Sequence, residues 1–237
     1  MKVSVVVPAF NEERLLAGSL AAMREAMGVL ENAELIVCDN NSTDRTAEIA
    51  RAAGAKVVFE PVNQIARARN RGAAAASGEW ILFVDADSYP TIELFREALD
   101  AMRSAQVVAG GATVALDTRD PLIRFWVGFW NALSRTMRWA AGSFIFCDAA
   151  AFHSIGGFSE ELFAGEEIDL SRRLKRLARV QGKRVVILHR HPLRTSDRKA
   201  RLYTKREYFV FMLKTLLLAG RPLRDRKACY AWYDGRR

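Results

Sequence analysis

The sequence predicts an α/β fold, built as a single domain with a mostly parallel central sheet flanked by helices. Two observations support this. In the first half of the chain, short apolar runs rich in β-branched residues alternate with helical stretches, and acidic or amide side chains directly follow several of these runs. Such alternation is typical of parallel sheets covered by helices on both faces. The 237 residues suffice for one large domain, and no repeat or linker divides them.

Hydrophobic periodicity defines the first two strands and helices. Val3–Val7 is a β-branched run, as expected for a strand buried on both faces. Glu12–Met27 has apolar residues at helical spacing and acids in its first turn, which predicts a helix. Glu34–Cys38 is predicted as the second strand. Thr46–Ala53 is predicted as the second helix, which Gly54 ends.

The next elements complete a parallel arrangement and bring three loops together. Lys56–Phe59 and Trp80–Val84 are predicted as strands, separated by the alanine-rich helix Ala66–Ala76. In parallel sheets, ligands bind beyond the C-terminal ends of the strands. We therefore expect the segments after three of these strands to share one crevice; they are 9–12, 39–41 and 85–87.

The second half of the chain has a less regular pattern. A turn is predicted at 156–158, and the pair Gly110-Gly111 suggests a bulge in its strand. The predicted strands are Gln106–Leu116, Ser143–Cys147 and Arg184–Leu188, and the predicted helices are Pro121–Trp139, Ile168–Val180 and Tyr203–Leu218.

Asp85 and Asp87, separated by one residue at the end of a buried strand, are the main candidates for chemistry. Two carboxylates so placed repel each other, and a hard divalent cation with oxygen ligands relieves that repulsion. We predict a site for Mn²⁺ or Mg²⁺, in which the cation offsets charge on a departing phosphate group. The alternative is a pair of turn acids that cap the helix after Pro90.

Five motifs in order resemble the family 2 glycosyltransferases, which are inverting enzymes with the A-type nucleotide-sugar-binding fold. The resemblance covers about residues 1–190, which we predict to be the catalytic domain, followed by a basic helical extension at 191–237. The motifs are Val3-Ser-Val-Val-Val-Pro-Ala-Phe-Asn-Glu-Glu13, Leu35-Ile-Val-Cys-Asp-Asn-Asn-Ser-Thr-Asp44, Asp85-Ala-Asp87, Gly156-Gly-Phe158 and Gly165-Glu-Glu-Ile-Asp-Leu170.

The resemblance implies a donor pocket for a nucleotide sugar, with a UDP-sugar favoured. It implies that Asp87 binds the metal directly and that Asp85, nearer the sheet, also meets the ribose or sugar. Asn40 and Asn41 stand where the family usually has an acid and a glycine. Arg69 and Arg71 are alternatives to Arg67, or part of a solvated helix face. The residues implied for the pocket are Pro8, Ala9, Asn11, Glu12, Asp39, Arg67, Asp85 and Ala86.

The same resemblance implies a general base near the start of the helix at 168–180. Glu167 matches the family's catalytic acid, with glutamate in place of aspartate, and Glu166 is the second choice. Such a base takes the proton of the acceptor hydroxyl. The alternative is that these acids only favour the N-terminus of a helix.

Two histidines and a short polar segment complete the predicted donor site. The family often has a histidine near His189 or His191, which would complete the metal shell or touch the diphosphate. The alternative is a surface turn. The segment Thr195-Ser-Asp-Arg-Lys199 resembles one seen in some bacterial members, and its hydroxyls and cations suit phosphate.

The uneven distribution of charge and a stretch of aromatic residues suggest which kind of acceptor the protein uses. Residues 171–237 carry 21 Lys and Arg against 4 Asp and Glu, a balance of 21−4 = +17, whereas the first 170 carry 15 against 23, or −8. This polarity predicts an anionic partner. With the aromatic stretch 121–139, it suggests a lipid-linked or saccharide acceptor at the cytoplasmic face of the membrane, and no nucleic acid is expected. Trp126, Trp130 and Asp169 are the acceptor candidates, although the aromatic residues also suit a protein core.

Two other functions fit parts of the sequence. A nucleotidyltransferase of related fold would have a glycine-rich basic loop after the first strand, whereas residues 8–13 are acidic and lack glycine. A catalytically silent, basic binding protein would not need the acids at 85, 87 and 167. No Gly-x-Gly-x-x-Gly motif follows a predicted strand, so a dinucleotide cofactor is not expected.

Overall fold

A computed structural model describes most of the chain as one mixed α/β domain. The described residues are 1–118, 120–140, 142–196, 198, 207, 214–215, 218 and 220–233. The strands are β1 (Val3–Ala9), β2 (Ala33–Asp39), β3 (Lys56–Phe59), β4 (Trp80–Val84), β5 (Ser88–Tyr89), β6 (Val107–Leu116), β7 (Phe144–Asp148) and β8 (Arg184–Thr195). The helices are α1 (Leu16–Met27), α2 (Thr46–Ala52), α3 (Ile65–Ala74), α4 (Ile92–Arg103), α5 (Pro121–Met137), α6 (Ala149–Ser154), α7 (Glu166–Val180) and α8 (Tyr230–Tyr233), and 221–224 form a 3-10 helix.

The strands form one sheet in the order β3-β2-β1-β4-β7-β6-β8-β5. The half made of β3, β2, β1 and β4 is parallel, as the sequence predicts. Val5, Val6 and Val7 are fully buried at its centre, because helices cover both faces. Side chains of α1 and α4 pack on one face and those of α3, α6 and α7 on the other.

The other half of the sheet is mixed. β7 runs antiparallel to both β4 and β6, whereas β6 and β8 are parallel. The irregularities of β6 lie on either side of Gly110-Gly111 rather than at this pair. The two glycines instead make room for neighbours, because a Cβ at Gly110 would collide with the Phe146 ring and one at Gly111 with Ala140.

α1 begins at Leu16, four residues later than the predicted start at Glu12. The backbone N–H of Glu12 donates to Thr46 Oγ1 at 2.8 Å, and that of Glu13 donates to Asp44 Oδ2 at 3.1 Å. The loop after β1 is thus held against the N-terminus of α2.

β8 is longer than predicted and continues to Thr195, past the predicted domain boundary at 190. Its last residues pair with β5, where Ser88 lies opposite Thr195. The predicted helix Tyr203–Leu218 falls mostly outside the described residues. Farther on, Leu223 accepts a bond from Phe163 N at 2.7 Å and Tyr233 Oη accepts one from Ile65 N at 3.2 Å, so this segment packs on the domain.

α5 is largely exposed, which contradicts the core interpretation of its aromatic residues. Ser134 is its one buried residue, whereas Phe125, Trp126 and Phe129 are each more than half exposed. Among the described helices, none combines the length and apolar character needed to cross a bilayer.

Candidate active site

The loops after β1, β2 and β4 meet in one pocket, as predicted from the order of the strands. Asn63 and Ile65, just before and at the start of α3, close its side. The full set of lining residues is Pro8, Ala9, Phe10, Glu12, Asn40, Asn63, Ile65, Asp85, Ala86 and Asp87.

Asn11 and Asp39 do not line this pocket, but they hold the loops that form it. Asn11 adopts a left-handed backbone conformation, with φ of 51°. Its N–H donates to Ser42 Oγ at 3.0 Å, and its Oδ1 accepts from Thr43 N at 2.8 Å. Asp39 Oδ1 accepts from Ser42 N at 3.1 Å. Asn11 therefore fixes the loop after β1 against the loop after β2, and Asp39 stabilises the loop after β2 from within.

Asn40 is suited to its position because an amide both donates and accepts. Its Nδ2 donates to Val62 O at 2.6 Å, and its Oδ1 accepts from Gln64 N at 2.9 Å. The side chain is 3% exposed, and a carboxylate in this place would leave Val62 O without its donor. This asparagine therefore connects the loop after β2 to the start of α3.

Arg69 is the centre of a buried charge cluster, so the interpretation of Arg69 as part of a solvated helix face is wrong. The residue is 2% exposed. Its guanidinium donates to Glu166 Oε1 at 2.8 Å, to Asp85 Oδ1 at 3.0 Å and to the Gly142 carbonyl at 2.9 Å. Arg69 thus joins the loop after β4 to the first turn of α7.

Glu166 and Glu167 differ in their surroundings. Glu166 is 4% exposed and forms an ion pair with Arg69. Glu167 is half-buried, and desolvation, with the negative charge of Glu166, raises its pKa to about 8. The positive charge of Arg69 opposes this shift. Of the two acids, Glu167 is therefore the one whose pKa is raised into the range near neutral pH.

A second charge cluster lies at the outer end of the pocket, around Glu12 and Asp87. The Arg198 guanidinium donates to both carboxylate oxygens of Glu12, at 2.6 and 2.9 Å, and lies 3.7 Å from Asp87 Oδ2. All three side chains are mostly buried. Among the described residues, this corner of the pocket thus brings two carboxylates together at the Arg198 guanidinium.

Asp85 and Asp87 are the residues suited to a divalent cation. Within the described parts of the chain, no three or more His, Cys, Asp or Glu side chains are grouped as a complete ligand set. Mg²⁺ and Mn²⁺ do not require one, because they commonly take one or two carboxylates and complete their shells with water and substrate phosphate. The guanidinium of Arg198 beside Asp87 places a positive charge at this corner.

Several predicted residues lie away from the pocket. His191 Nδ1 is 3.3 Å from Glu97 Oε2 on α4, and His189 lines a separate surface pocket beside Arg135 and Arg184. The structure does not bring these histidines to Asp87, because β8 continues to Thr195 before it reaches β5.

Arg67 and the acceptor candidates also have partners elsewhere. Arg67 forms ion pairs with Glu60 at 3.2 Å and with Glu160 at 2.6 Å. Asp169 pairs with Arg173 within α7, at 2.6 Å. Trp126 and Trp130 lie on α5, whose C-terminal end leads to Gly142 and so to the Arg69 cluster.

The comparison that decides the family concerns the part of the chain that builds this pocket. The profile of glycosyl transferase family 2 matches residues 4–158. The chain belongs to this family. The matched range includes Asp85, Asp87 and Arg69 but ends before Glu166 and Glu167.

Relatives and solved structures agree with this assignment. A dolichol-phosphate mannosyltransferase of Pyrococcus furiosus is 31% identical over 120 residues, which are 47% of this chain and 33% of that protein. The chain spans less than half the length of the curated relatives it matches.

Two structures of glycosyltransferases share the fold. The mannosyltransferase PcManGT from Pyrobaculum calidifontis, solved with GDP-Man and Mn²⁺, has a TM-score of 0.68 at 20% identity, over 96% of this chain and 64% of that one. Glucosyl-3-phosphoglycerate synthase from Mycobacterium tuberculosis, solved with Mn²⁺, UDP-Glc and phosphoglyceric acid, has a TM-score of 0.61 at 21% identity, over 90% and 79%. These likenesses confirm the predicted A-type glycosyltransferase fold.

Sequence reasoning missed the roles of Arg69 and Arg198 as charge partners. For Arg69 a signal existed, because Ala66, Arg69 and Ala73 share one face of α3 by helical spacing, and all three are buried. For Arg198 no local pattern points to Glu12, since 186 residues separate the two.

Proposed function

We propose that this family 2 glycosyltransferase is an inverting enzyme, which transfers a sugar from a nucleoside-diphosphate sugar to a hydroxyl or phosphate acceptor. The observation that supports this best is the arrangement around Arg69. One guanidinium joins Asp85, at the pocket where the donor would bind, to the acids at the start of α7. Donor and general base would therefore be held in a fixed relation.

The donor would bind along the loops that line the pocket. Its base and ribose suit the end between the β1 and β2 loops, and its diphosphate suits the end near Asp85 and Asp87. Mn²⁺ or Mg²⁺ held by these two acids would offset the negative charge of the departing diphosphate. Nucleotide sugars in the two solved relatives carry uridine or guanosine, and a UDP-sugar remains our first choice.

Glu167 would act as the general base. In its ionised form, whose share grows as the pH approaches 8, the carboxylate takes the proton from the acceptor hydroxyl as the acceptor oxygen forms a bond to the anomeric carbon. The bond from that carbon to the diphosphate breaks at the same time, and the nucleoside diphosphate leaves with the electron pair. Attack opposite the leaving group inverts the anomeric centre. Glu166 and Arg69 position this base, because the ion pair between them fixes the first turn of α7.

The acceptor is proposed to be lipid-linked, at an anionic membrane surface. The relative from Pyrococcus furiosus is named for a lipid phosphate, dolichol phosphate. α5 exposes Phe125, Trp126 and Phe129 and contains no acid, and such a face suits the interface between headgroups and acyl chains. A saccharide acceptor is the alternative, in which the same aromatic side chains stack on sugar rings.

Release of nucleoside diphosphate tests the proposal without knowledge of the acceptor. The protein is incubated with UDP-glucose, UDP-N-acetylglucosamine or GDP-mannose and Mn²⁺, and slow hydrolysis, with water as acceptor, is followed. We expect at least one donor to be cleaved, and Glu167→Gln and Asp87→Asn to lower the rate by about a hundredfold or more.

Glu48→Gln is the matched control, because Glu48 is an exposed acid on α2 that pairs with Arg45. It should leave the rate unchanged. Hydrolysis of the donor at the wild-type rate by Glu167→Gln would remove the role of base, and no cleavage of any donor by the wild type would count against the function.

A further inference from the structure

Arg198 lies where the pocket concentrates negative charge. Glu12 and Asp87 come from loops after different strands, and their side chains are 8% and 10% exposed. Two such carboxylates are costly to bury unless a positive charge accompanies them. Among the described residues, the guanidinium of Arg198 supplies positive charge through two hydrogen bonds to Glu12 and a longer contact with Asp87.

The backbone around Arg198 is itself fastened to the pocket. Ser196 N donates to the Asp87 carbonyl at 3.1 Å, and Arg198 N donates to Ser196 Oγ at 3.1 Å. One step back along the chain, Ser88 Oγ donates to Thr195 Oγ1 at 3.1 Å. The pairing of β8 with β5 therefore positions Arg198 at the outer end of the pocket.

A divalent cation held by Asp87 would change the interactions of Arg198. A cation there would neutralise the carboxylate and repel the guanidinium. The diphosphate of the donor would at the same time bring oxygens whose geometry matches the planar fork of an arginine. Both effects favour the transfer of the guanidinium from carboxylate to phosphate.

We propose that Arg198 pairs with Glu12 and blocks the metal position at Asp87 before the donor binds, and then moves to the donor diphosphate. It is thus a donor-binding residue that also opposes metal binding in the absence of nucleotide. This inference rests on the proposed function, since it takes the pocket to bind a nucleoside diphosphate and a metal ion.

Two binding affinities of the variant Arg198→Gln test this inference, and we expect them to change in opposite directions. In Arg198→Gln, the affinity for Mn²⁺ alone, followed by the electron paramagnetic resonance signal of free Mn²⁺, should rise several-fold, because a competing positive charge beside Asp87 is lost. The affinity for UDP at saturating Mn²⁺, measured by calorimetry, should fall about tenfold or more, because a charged hydrogen-bond donor to the diphosphate is lost.

Two further variants separate the charge of Arg198 from its shape and serve as controls. Arg198→Lys keeps the charge but not the fork, so its Mn²⁺ affinity should stay near the wild-type value while UDP binding weakens. Arg190→Gln removes an exposed positive charge of β8 and should leave both affinities unchanged. Circular dichroism and the melting temperature of each variant report whether it has folded.

The outcomes separate this inference from the proposed function. Unchanged affinities in Arg198→Gln would overturn the inference, and so would a parallel loss of both, which is what a purely structural role produces. A wild-type protein that binds no UDP even at saturating Mn²⁺ would instead contradict the proposed function, while a rise in the Mn²⁺ affinity of the variant would still support the first half of the inference.

Discussion

Arg69 shows how one side chain sets the properties of three others. Its guanidinium contacts Asp85 and Glu166, and Glu167 lies close enough for the charge of Arg69 to act on its pKa. One positive charge does not balance three carboxylates. Burial first, and this surplus of negative charge second, raise the pKa of Glu167.

The pKa of Glu167 leads to a prediction about stability. In the folded protein its pKa is about 8, above the ordinary glutamate value of 4.5, so between these values the folded state binds more protons than the unfolded state. The free energy of unfolding therefore falls as pH rises through this window. Glu167→Gln removes that dependence, and its stability relative to the wild type should rise by at least about 1 kcal/mol between pH 5 and pH 8.

Urea denaturation at a series of pH values measures this difference. Glu161→Gln, which changes an exposed acid paired with Arg224, is the control and should show little change with pH. A constant difference between Glu167→Gln and the wild type from pH 5 to pH 8 would mean that Glu167 titrates normally in the folded protein.

Single residues of the site could be predicted only where a local pattern marks them. Asp85, Asp87 and Glu167 stand in short motifs at the ends of elements, and the resemblance assigned them candidate roles that stay predictions. The sequence marked the segment 195–199 as suited to phosphate, but the pairing of Arg198 with Glu12 and Asp87 could not be found this way, because it depends on the pairing of β8 with β5. Asn40 departs from the family pattern, and the structure supplies the reason in its two backbone partners.

At the scale of elements, α5 departs most from its sequence-based interpretation. The helix is amphipathic, but its apolar stripe points outward, and neighbouring rings of Phe125, Trp126 and Phe129 contact one another there. The side that faces the protein is anchored by polar contacts. Asn131 exchanges two hydrogen bonds with the backbone of Val114, and Ser134 donates to the Trp139 carbonyl. Periodicity alone does not tell which side of such a helix is covered.

The exposed stripe predicts membrane binding by α5. The double variant Trp126→Ser, Phe129→Ser should partition onto vesicles rich in phosphatidylglycerol about tenfold less than the wild type, because two large apolar side chains no longer enter the interface. Binding of the wild type should weaken with added salt, since arginines flank the stripe.

Vesicle co-sedimentation measures the partition. Phe59→Ser is a matched control, because Phe59 on β3 is 52% exposed, as Trp126 is, and lies on a different element. Wild-type protein that stays in solution with anionic vesicles at low salt, or a double variant that binds as the wild type does, would contradict a membrane role for α5.

At the scale of the whole molecule, the alternation of strands and helices predicted the parallel half of the sheet and the place of the pocket. The mixed half of the sheet was harder to predict from the sequence, because β7 lies antiparallel between β4 and β6 and so joins segments far apart in sequence. β5 has two residues, too few for any periodic signal. These two strands nevertheless carry the connections that bring Gly142 and Arg198 to the pocket.

The central claim is that one pocket binds a nucleoside diphosphate together with a divalent cation held by Asp87. The most direct test is the melting temperature with UDP or GDP, each with Mn²⁺, with Mg²⁺ or with EDTA, in the wild type and in Asp87→Asn. Ligand that binds the folded state alone raises the melting temperature by mass action. We predict a rise of several degrees for the wild type with nucleotide and metal together, and little rise in EDTA or in Asp87→Asn. An equal rise in EDTA, or an unchanged rise in the variant, would contradict the account.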